Sequence, residues 1–261
     1  FVNDILTAEV VEQLYNMGVK AIVLRCAGFN NVDIKACQGK LPVFRVPAYS
    51  PHAVAEHAMA LLLTVNRHTH KAHNRTREFN FSLQSLTGFD LHGKTVGIIG
   101  TGKIGMIFAN ICKGFGMNIL AYDKFPGKND LSYVELDTLL AQSDIISLHC
   151  PLTPENTGMV NAEFLNSMKG GSFLINTARG GLLDEQAVAD ALRSGKLAGA
   201  AVDVVTEEPM KEYNPLLTAP NCIITPHIAW APKESRQRLL DCCVDNIRAF
   251  LAENPQNVVN F

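Results

Sequence analysis

The sequence predicts an α/β protein built on a doubly wound parallel sheet, and three observations carry that prediction. Short apolar runs alternate with helical periodicities along most of the chain. Several of those runs are apolar without alternation, as strands are when helices cover both faces of their sheet. A glycine-rich loop joins one such run directly to the helical stretch that follows it, which sets the repeated β-α-β order of a doubly wound domain.

The elements follow in order. A helical period covers residues 8–17 and stops at Gly18. Two strand-like runs, 21–24 and 43–46, flank a glycine turn at Gly28. A long helix is expected from His52 to about Thr76, apolar at Ala53, Ala55, Ala58, Leu61, Leu62 and Val65 and polar after Asn66. After a loop at Thr87-Gly88 come strands at 95–99, 118–122, 145–149, 172–176, 200–204 and 222–225. Helices are expected at 103–115 and at 185–193, the latter capped by Asp184 and ended by Gly195. An amphipathic helix at 233–251 comes last.

Bulk properties narrow the function classes. The 261 residues suit one large domain or two modest ones, and 47% hydrophobic with 18% charged residues is a globular balance. A formal net charge of -2 gives no electrostatic case for nucleic acid or an anionic membrane as partner. No apolar run approaches the roughly 18–20 residues that span a bilayer. Asn3 and Asp4 stand where a signal peptide would need apolar residues, and the opening 1–4 reads as the end of a strand, so the chain is expected to begin mid-fold. The seven cysteines (Cys26, Cys37, Cys112, Cys150, Cys222, Cys242 and Cys243) are odd in number, show no C-x-x-C and mostly sit among apolar residues. That points to free thiols in a reducing, cytoplasmic compartment, with Cys242-Cys243 as helix packing. His68, His70 and His73 have helical spacing but no carboxylate support and read as a solvated helix face, so no metal is expected.

The loop Gly100-Thr101-Gly102-Lys103-Ile104-Gly105 is G-x-G-x-x-G between a strand and a helix. Gly100 permits the tight turn, Gly102 lets the backbone approach a pyrophosphate, and Gly105 lets helix and strand pack closely. The helix start offers free N–H groups and a positive dipole end to the phosphates. Asp123 follows at about 20 residues, the distance at which an acid accepts from the adenosine ribose and repels a 2′-phosphate. Together these predict NAD as cofactor on a Rossmann-type sheet.

Three polar residues stand just past the ends of successive predicted strands: Arg179, Glu208 and His227. In an open parallel sheet those ends line the ligand crevice. Singly, each has a plain reading as surface residue, turn or loop cap; jointly they suit hydride transfer to a 2-keto acid. Arg179 offers a planar double donor for carboxylate and keto oxygen. His227 can give the keto oxygen a proton and take it back. Glu208 can fix the imidazole and favour its protonated form. Asp203 is placed to bond the nicotinamide carboxamide.

At these residues the chain resembles the D-2-hydroxyacid dehydrogenase family. The matching segments are Gly100 to Gly105 with Tyr122-Asp123, His149-Cys150-Pro151-Leu152-Thr153, Asn176-Thr177-Ala178-Arg179-Gly180-Gly181, Asp203-Val204 through Glu208-Pro209, and Thr225-Pro226-His227-Ile228-Ala229. They come in family order, and the resemblance covers nearly the whole chain. It implies Arg179, Glu208 and His227 as the catalytic set, with the substrate carboxylate held by backbone N–H groups at Ala27-Gly28. It implies that Tyr49 contacts substrate, as in the D-lactate branch. It places Cys150, Pro151 and Thr157 near the adenosine half of the cofactor, and Thr177, Ala178 and Ala229 beside Asp203 in the cofactor site.

The resemblance further implies two domains, an NAD-binding domain over 51–228 and a flavodoxin-like substrate domain over 1–50 plus 229–261. Between them a cleft is expected to close on the substrate and exclude water. Family members carry about 70 further residues before the position of Phe1, so the substrate domain is expected to be truncated at its N-terminus. Relatives pair through the helix at His52 to Asn66, which implies a homodimer. The two halves point to different branches. Residues up to about Ile104 look like D-lactate dehydrogenase; from Gly199 onward, and at Ile224 to Ala231 with its Trp230, the chain looks like glycerate dehydrogenase, the hydroxypyruvate reductase. The best reading is the D-lactate/pyruvate pair, with D-glycerate/hydroxypyruvate as alternative and a non-catalytic NAD-sensing protein as the reading from another class.

Overall fold

A computed structural model describes residues 4–260, so the strand end expected at the start of the chain lies almost wholly outside the described residues. Two units are distinguished: Pro51–Ala229, and the segments up to Ser50 and from Trp230 onward.

The split unit opens with helix α1 (Ala8–Asn16), where the Thr7 side chain accepts from Val10 N–H, and strand β1 (Ile22–Val23). Helix α2 (Ile34–Cys37), capped by Asp33, and strand β2 (Val43–Phe44) follow. β1 and β2 pair in parallel, Ile22 with Val43 and Val23 with Phe44. Val11, Leu24, Cys37, Leu41 and Val43 form the buried centre. The two expected strands are thus shorter than their apolar runs.

The larger unit contains helices α3 (Pro51–Arg67) and α4 (Thr69–Arg77), then strand β3 (Thr95–Ile99) and helix α5 (Lys103–Gly114). Strands β4 (Asn118–Tyr122) and β5 (Ser132–Tyr133), helix α6 (Leu136–Gln142) and strand β6 (Ile145–Leu148) come next. Helix α7 (Ala162–Ser167), strand β7 (Ser172–Asn176), helix α8 (Glu185–Arg193) and strands β8 (Leu197–Val202) and β9 (Cys222–Ile224) complete it. The last helix, α9 (Lys233–Leu251), returns to the split unit. The strands form one seven-stranded parallel sheet in the order β5-β4-β3-β6-β7-β8-β9.

That order explains the uniformly apolar strands. One core, with Leu148, Leu165, Leu174 and Val188, fills the space between the sheet and α6, α7 and α8. The other, with Leu62, Val96, Ile98, Phe108 and Ile145, lies under α3 and α5. Residues of β6 and β7 face both cores in alternation and are all buried.

The expected helix from His52 to Thr76 is two helices. His68 adopts φ +49°, a left-handed conformation that ends α3 and precedes α4. α3 is buried along one face up to Asn66, whereas α4 has no buried residue, so no core packing carries a straight helix past Arg67. The expected strand at 200–204 starts earlier, at Leu197, and ends at Val202. No helix among the described residues is long and apolar enough to cross a membrane.

Candidate active site

The sheet order reverses direction between β3 and β6, the topological switch point at which such sheets bind ligands. Gly100 leaves β3 there with φ +96°, and a Cβ on it would lie 2.6 Å from the Cys150 nitrogen. Gly105 is as constrained: its Cβ would lie 2.0 Å from the Gly100 carbonyl oxygen. Gly102 is different. It caps α5, is exposed, and a Cβ there would meet nothing within 4 Å. Its backbone and the open N–H groups of α5 therefore face free space, with exposed Lys103 and half-buried Ile104 in the first turn.

Asp123, at the end of β4, accepts from Thr101 N–H at 2.6 Å and the Thr101 hydroxyl at 3.0 Å, with Phe125 N–H at 2.9 Å on its other oxygen. Burial pulls its carboxyl upward, but these hydrogen bonds outweigh that and hold it below the usual carboxylate range. The acid expected beside the cofactor thus also shapes the glycine loop. Cys150 is half-buried, and Pro151 and Thr157 are exposed in the segment after β6. Thr177 is buried past the end of β7, and its hydroxyl oxygen has no hydrogen-bond partner among the described residues. Ala178 is half-buried beside it.

An open N–H edge at Gly102, an anionic acid at the end of β4 and an orphaned buried hydroxyl at Thr177 are features a dinucleotide would satisfy.

The three expected catalytic residues all belong to this unit. Glu208 Oε2 lies 2.6 Å from His227 Nδ1, and Glu208 Oε1 accepts from Val205 N–H at 3.2 Å. Both side chains are about a quarter exposed, at 22% and 25%. The imidazole Nε2 has no hydrogen bond among the described residues. His227 itself has φ +53°, a conformation that costs a non-glycine residue about 1–3 kcal/mol. Arg179 is half-buried, and its guanidinium donates to the Ala178 carbonyl at 2.6 Å. Asn176 braces that turn by donating to the Arg179 carbonyl and accepting from Ala178 N–H. Gly180 ties Arg179 to the segment carrying Glu208, because a Cβ there would lie 1.9 Å from the Val205 carbonyl carbon.

Asp203 is fully buried. Its Oδ1 accepts from the Thr225 hydroxyl at 2.5 Å and Ile228 N–H at 2.9 Å, and its Oδ2 from Ala229 N–H at 2.8 Å. The carboxylate is therefore committed to the 225–229 loop and presents no accessible surface for the expected carboxamide contact. Ala229, expected near the cofactor, is buried as one of its donors.

Ala27, Gly28 and Tyr49 belong to the split unit. There the Ala27 carbonyl accepts from Arg45 at 3.3 Å, the Gly28 carbonyl from the Cys26 thiol at 3.2 Å, and the Tyr49 carbonyl from Arg238. Among the described residues no group of three or more His, Cys, Asp or Glu side chains is arranged to hold a metal ion.

Sequence reasoning gave no role to two histidines, although His149 opens one of the matching segments. His57, on α3, brings Nε2 to 3.1 Å from the Thr225 hydroxyl and 3.3 Å from Asp203 Oδ1. Its place inside an ordinary helical pattern gives no local signal. His149 packs on Phe108 beneath the glycine loop and bonds Ser147 at 2.9 Å; its position directly after β6 was the available signal.

Known proteins resemble the chain over most of its length. The family model described as "D-isomer specific 2-hydroxyacid dehydrogenase, NAD binding domain" matches residues 59–229. A 2-hydroxyacid dehydrogenase homolog of Haemophilus influenzae is 48% identical over 265 residues, covering 95% of this chain and 80% of its own length. The hydroxypyruvate reductase of Blautia hydrogenotrophica is 45% identical, covering 97% and 81%. The apo structure of D-lactate dehydrogenase from Escherichia coli superposes with a TM-score of 0.92 at 44% identity, over 99% of this chain and 84% of that one. The chain belongs to the D-isomer-specific 2-hydroxyacid dehydrogenase family and is an NAD-dependent oxidoreductase acting on the CH–OH group of its donor.

Proposed function

We propose that the chain interconverts pyruvate and D-lactate, with Arg179, Glu208 and His227 as its catalytic residues. The observation that carries the catalytic assignment is the 2.6 Å contact between Glu208 Oε2 and His227 Nδ1, and similarity to D-lactate dehydrogenases supports the choice of substrate. A carboxylate there keeps the Nδ1 proton in place and leaves Nε2 to face the substrate. NAD, when bound in its reduced form, supplies the hydride that becomes the C2 hydrogen of the product. His227 gives its Nε2 proton to the keto oxygen, and Glu208 offsets the imidazolium charge held beforehand. One keto acid, one hydride and one proton then make one hydroxyacid; in the oxidation direction Nε2 takes the proton back. Arg179 supplies the donor for the substrate carboxylate and for the charge that develops on the keto oxygen.

Gly100, Gly102, Gly105, Asp123 and Thr177 are the proposed principal cofactor contacts, on the geometry above. Ala27, Gly28 and Tyr49 are proposed as substrate contacts from the resemblance alone. A second reading, D-glycerate and hydroxypyruvate, is favoured by the segment ending in Trp230-Ala231 and by the relative named hydroxypyruvate reductase. NADH oxidation with pyruvate, hydroxypyruvate, glyoxylate and phenylpyruvate side by side tests the choice. The highest kcat/KM on pyruvate supports the first reading, and on hydroxypyruvate the second.

A homodimer is also proposed. Phe79, Phe81 and Leu83, after α4, are 95%, 81% and 81% exposed, which supports an association surface there. Sedimentation at micromolar concentration tests it. Cys37, Cys112, Cys150, Cys222, Cys242 and Cys243 carry free thiols, which supports the proposal of a reducing, cytoplasmic compartment.

A further inference from the structure

We infer that His57 is a positioning residue for proton transfer: through Thr225 and Asp203 it holds the loop that aims His227. The inference rests on the reading of His227 as the proton donor.

The Thr225 hydroxyl has one hydrogen, and at 2.5 Å it goes to Asp203 Oδ1. The 3.1 Å contact between Thr225 Oγ1 and His57 Nε2 must then run the other way, with the imidazole donating. The same N–H lies within reach of Asp203 Oδ1, at 3.3 Å. This fixes the His57 tautomer with its proton on Nε2.

Downstream of His57, the bonds converge on the backbone around His227. The Asp203 carboxylate takes Ile228 N–H and Ala229 N–H, while the Asp203 and Thr225 carbonyls both take His227 N–H, at 2.8 Å and 2.9 Å. These bonds hold His227 in its left-handed conformation. Burial works against the Asp203 charge, but donors from His57, Thr225, Ile228 and Ala229 more than offset it. Without His57, the buried Asp203 carboxylate loses one donor and the Thr225 oxygen loses the N–H it accepts. The loop that fixes the direction of the His227 imidazole then loosens. A small misplacement of a reacting group acts on the chemical step and leaves cofactor binding alone.

The test compares His57→Phe, which keeps the bulk without the donor, with His57→Gln, whose side-chain amide can return an N–H near the Nε2 position. His227→Asn is measured in parallel on the full chain. kcat, KM for pyruvate, the NADH dissociation constant and the melting temperature are read for each. The expected result is a fall in kcat of about 10- to 100-fold for His57→Phe, with NADH binding within about 2-fold, and recovery of most of that loss in His57→Gln. Thr225→Val, which removes the relaying hydroxyl, should reproduce the kcat-selective loss, and it decides the matter if His57→Phe does not fold. Parent-like kcat in His57→Phe overturns the inference. So does an equal loss in Phe and Gln, a joint loss of kcat, NADH binding and stability, or, where His57→Phe does not fold, parent-like kcat in Thr225→Val. Parent-like turnover by His227→Asn would instead remove the reading on which the inference rests, whatever the His57 variants do.

Discussion

Glu208 Oε2 and His227 Nδ1 lie 2.6 Å apart, although one residue follows β8 and the other follows β9. The neighbouring strand ends of one parallel sheet bring them together, and the Val205 N–H holds the second Glu208 oxygen. Glu208→Gln keeps the shape and removes the charge. A hydrogen bond to a charged group contributes about 1.5–3 kcal/mol, so kcat is expected to fall roughly 10- to 100-fold with little change in NADH affinity. Steady-state kinetics with a fluorescence titration of NADH checks this.

Two glycines should respond in opposite ways. Gly180→Ala forces a methyl group to within 1.9 Å of the Val205 carbonyl carbon, and only movement of the backbone can relieve it. Overpacking of this kind costs about 1–3 kcal/mol or more, and here it also separates Arg179 from the Glu208 segment. The melting temperature and kcat should both drop. Gly102→Ala meets nothing within 4 Å, so the fold should survive, while NADH affinity falls because the new methyl stands at the exposed N-terminus of α5. Thermal melts and NADH titrations of the two variants separate the effects.

Asp123 makes a prediction about cofactor choice. Its carboxylate carries negative charge beside the glycine loop, where the 2′-phosphate of NADP would be repelled. Asp123→Ser should lower kcat/KM for NADH about 10- to 100-fold and lower it less for NADPH, so the ratio shifts toward NADPH. Comparing the two cofactors at one keto acid concentration checks it; an unchanged ratio counts against this role.

His149 gives a pH prediction. Burial lowers its pKa from 6.5 to about 3, so the folded protein keeps it neutral. The unfolded chain takes up this proton as pH falls through 6.5, and the native state does not until about 3. The His149 contribution is therefore full above pH 6.5 and is lost progressively between there and about 3, at up to about 1.4 kcal/mol per pH unit. His149→Gln should lose part of the acid sensitivity in that window. Urea unfolding of both proteins between pH 7 and 4.5 measures it, and identical slopes contradict it.

The strands at 95–99, 118–122 and 172–176 were legible to the residue because a buried parallel strand writes itself as a short apolar run. α6 and α7 were not, since six or seven residues carry too little periodicity, although the Asn161 cap of α7 is a signal. The break at His68 has no glycine or proline to announce it and follows from where core packing ends. Glu208 and His227 could be paired from sequence because both follow strand ends. His57 could not, because its contacts with Thr225 and Asp203 cross most of the larger unit's sequence. Asp203 was found, but its burial under the 225–229 loop depends on tertiary contacts that no local pattern encodes.

The most direct test of proton transfer by His227 is NADH oxidation at saturating pyruvate by the parent protein and by His227→Asn, with NADH binding titrated on the same samples. The asparagine can retain a hydrogen bond to Glu208 but cannot deliver a proton, so turnover should fall about 10²- to 10⁴-fold while the NADH dissociation constant stays within about 2-fold. Turnover of the variant within about 2-fold of the parent would contradict the account.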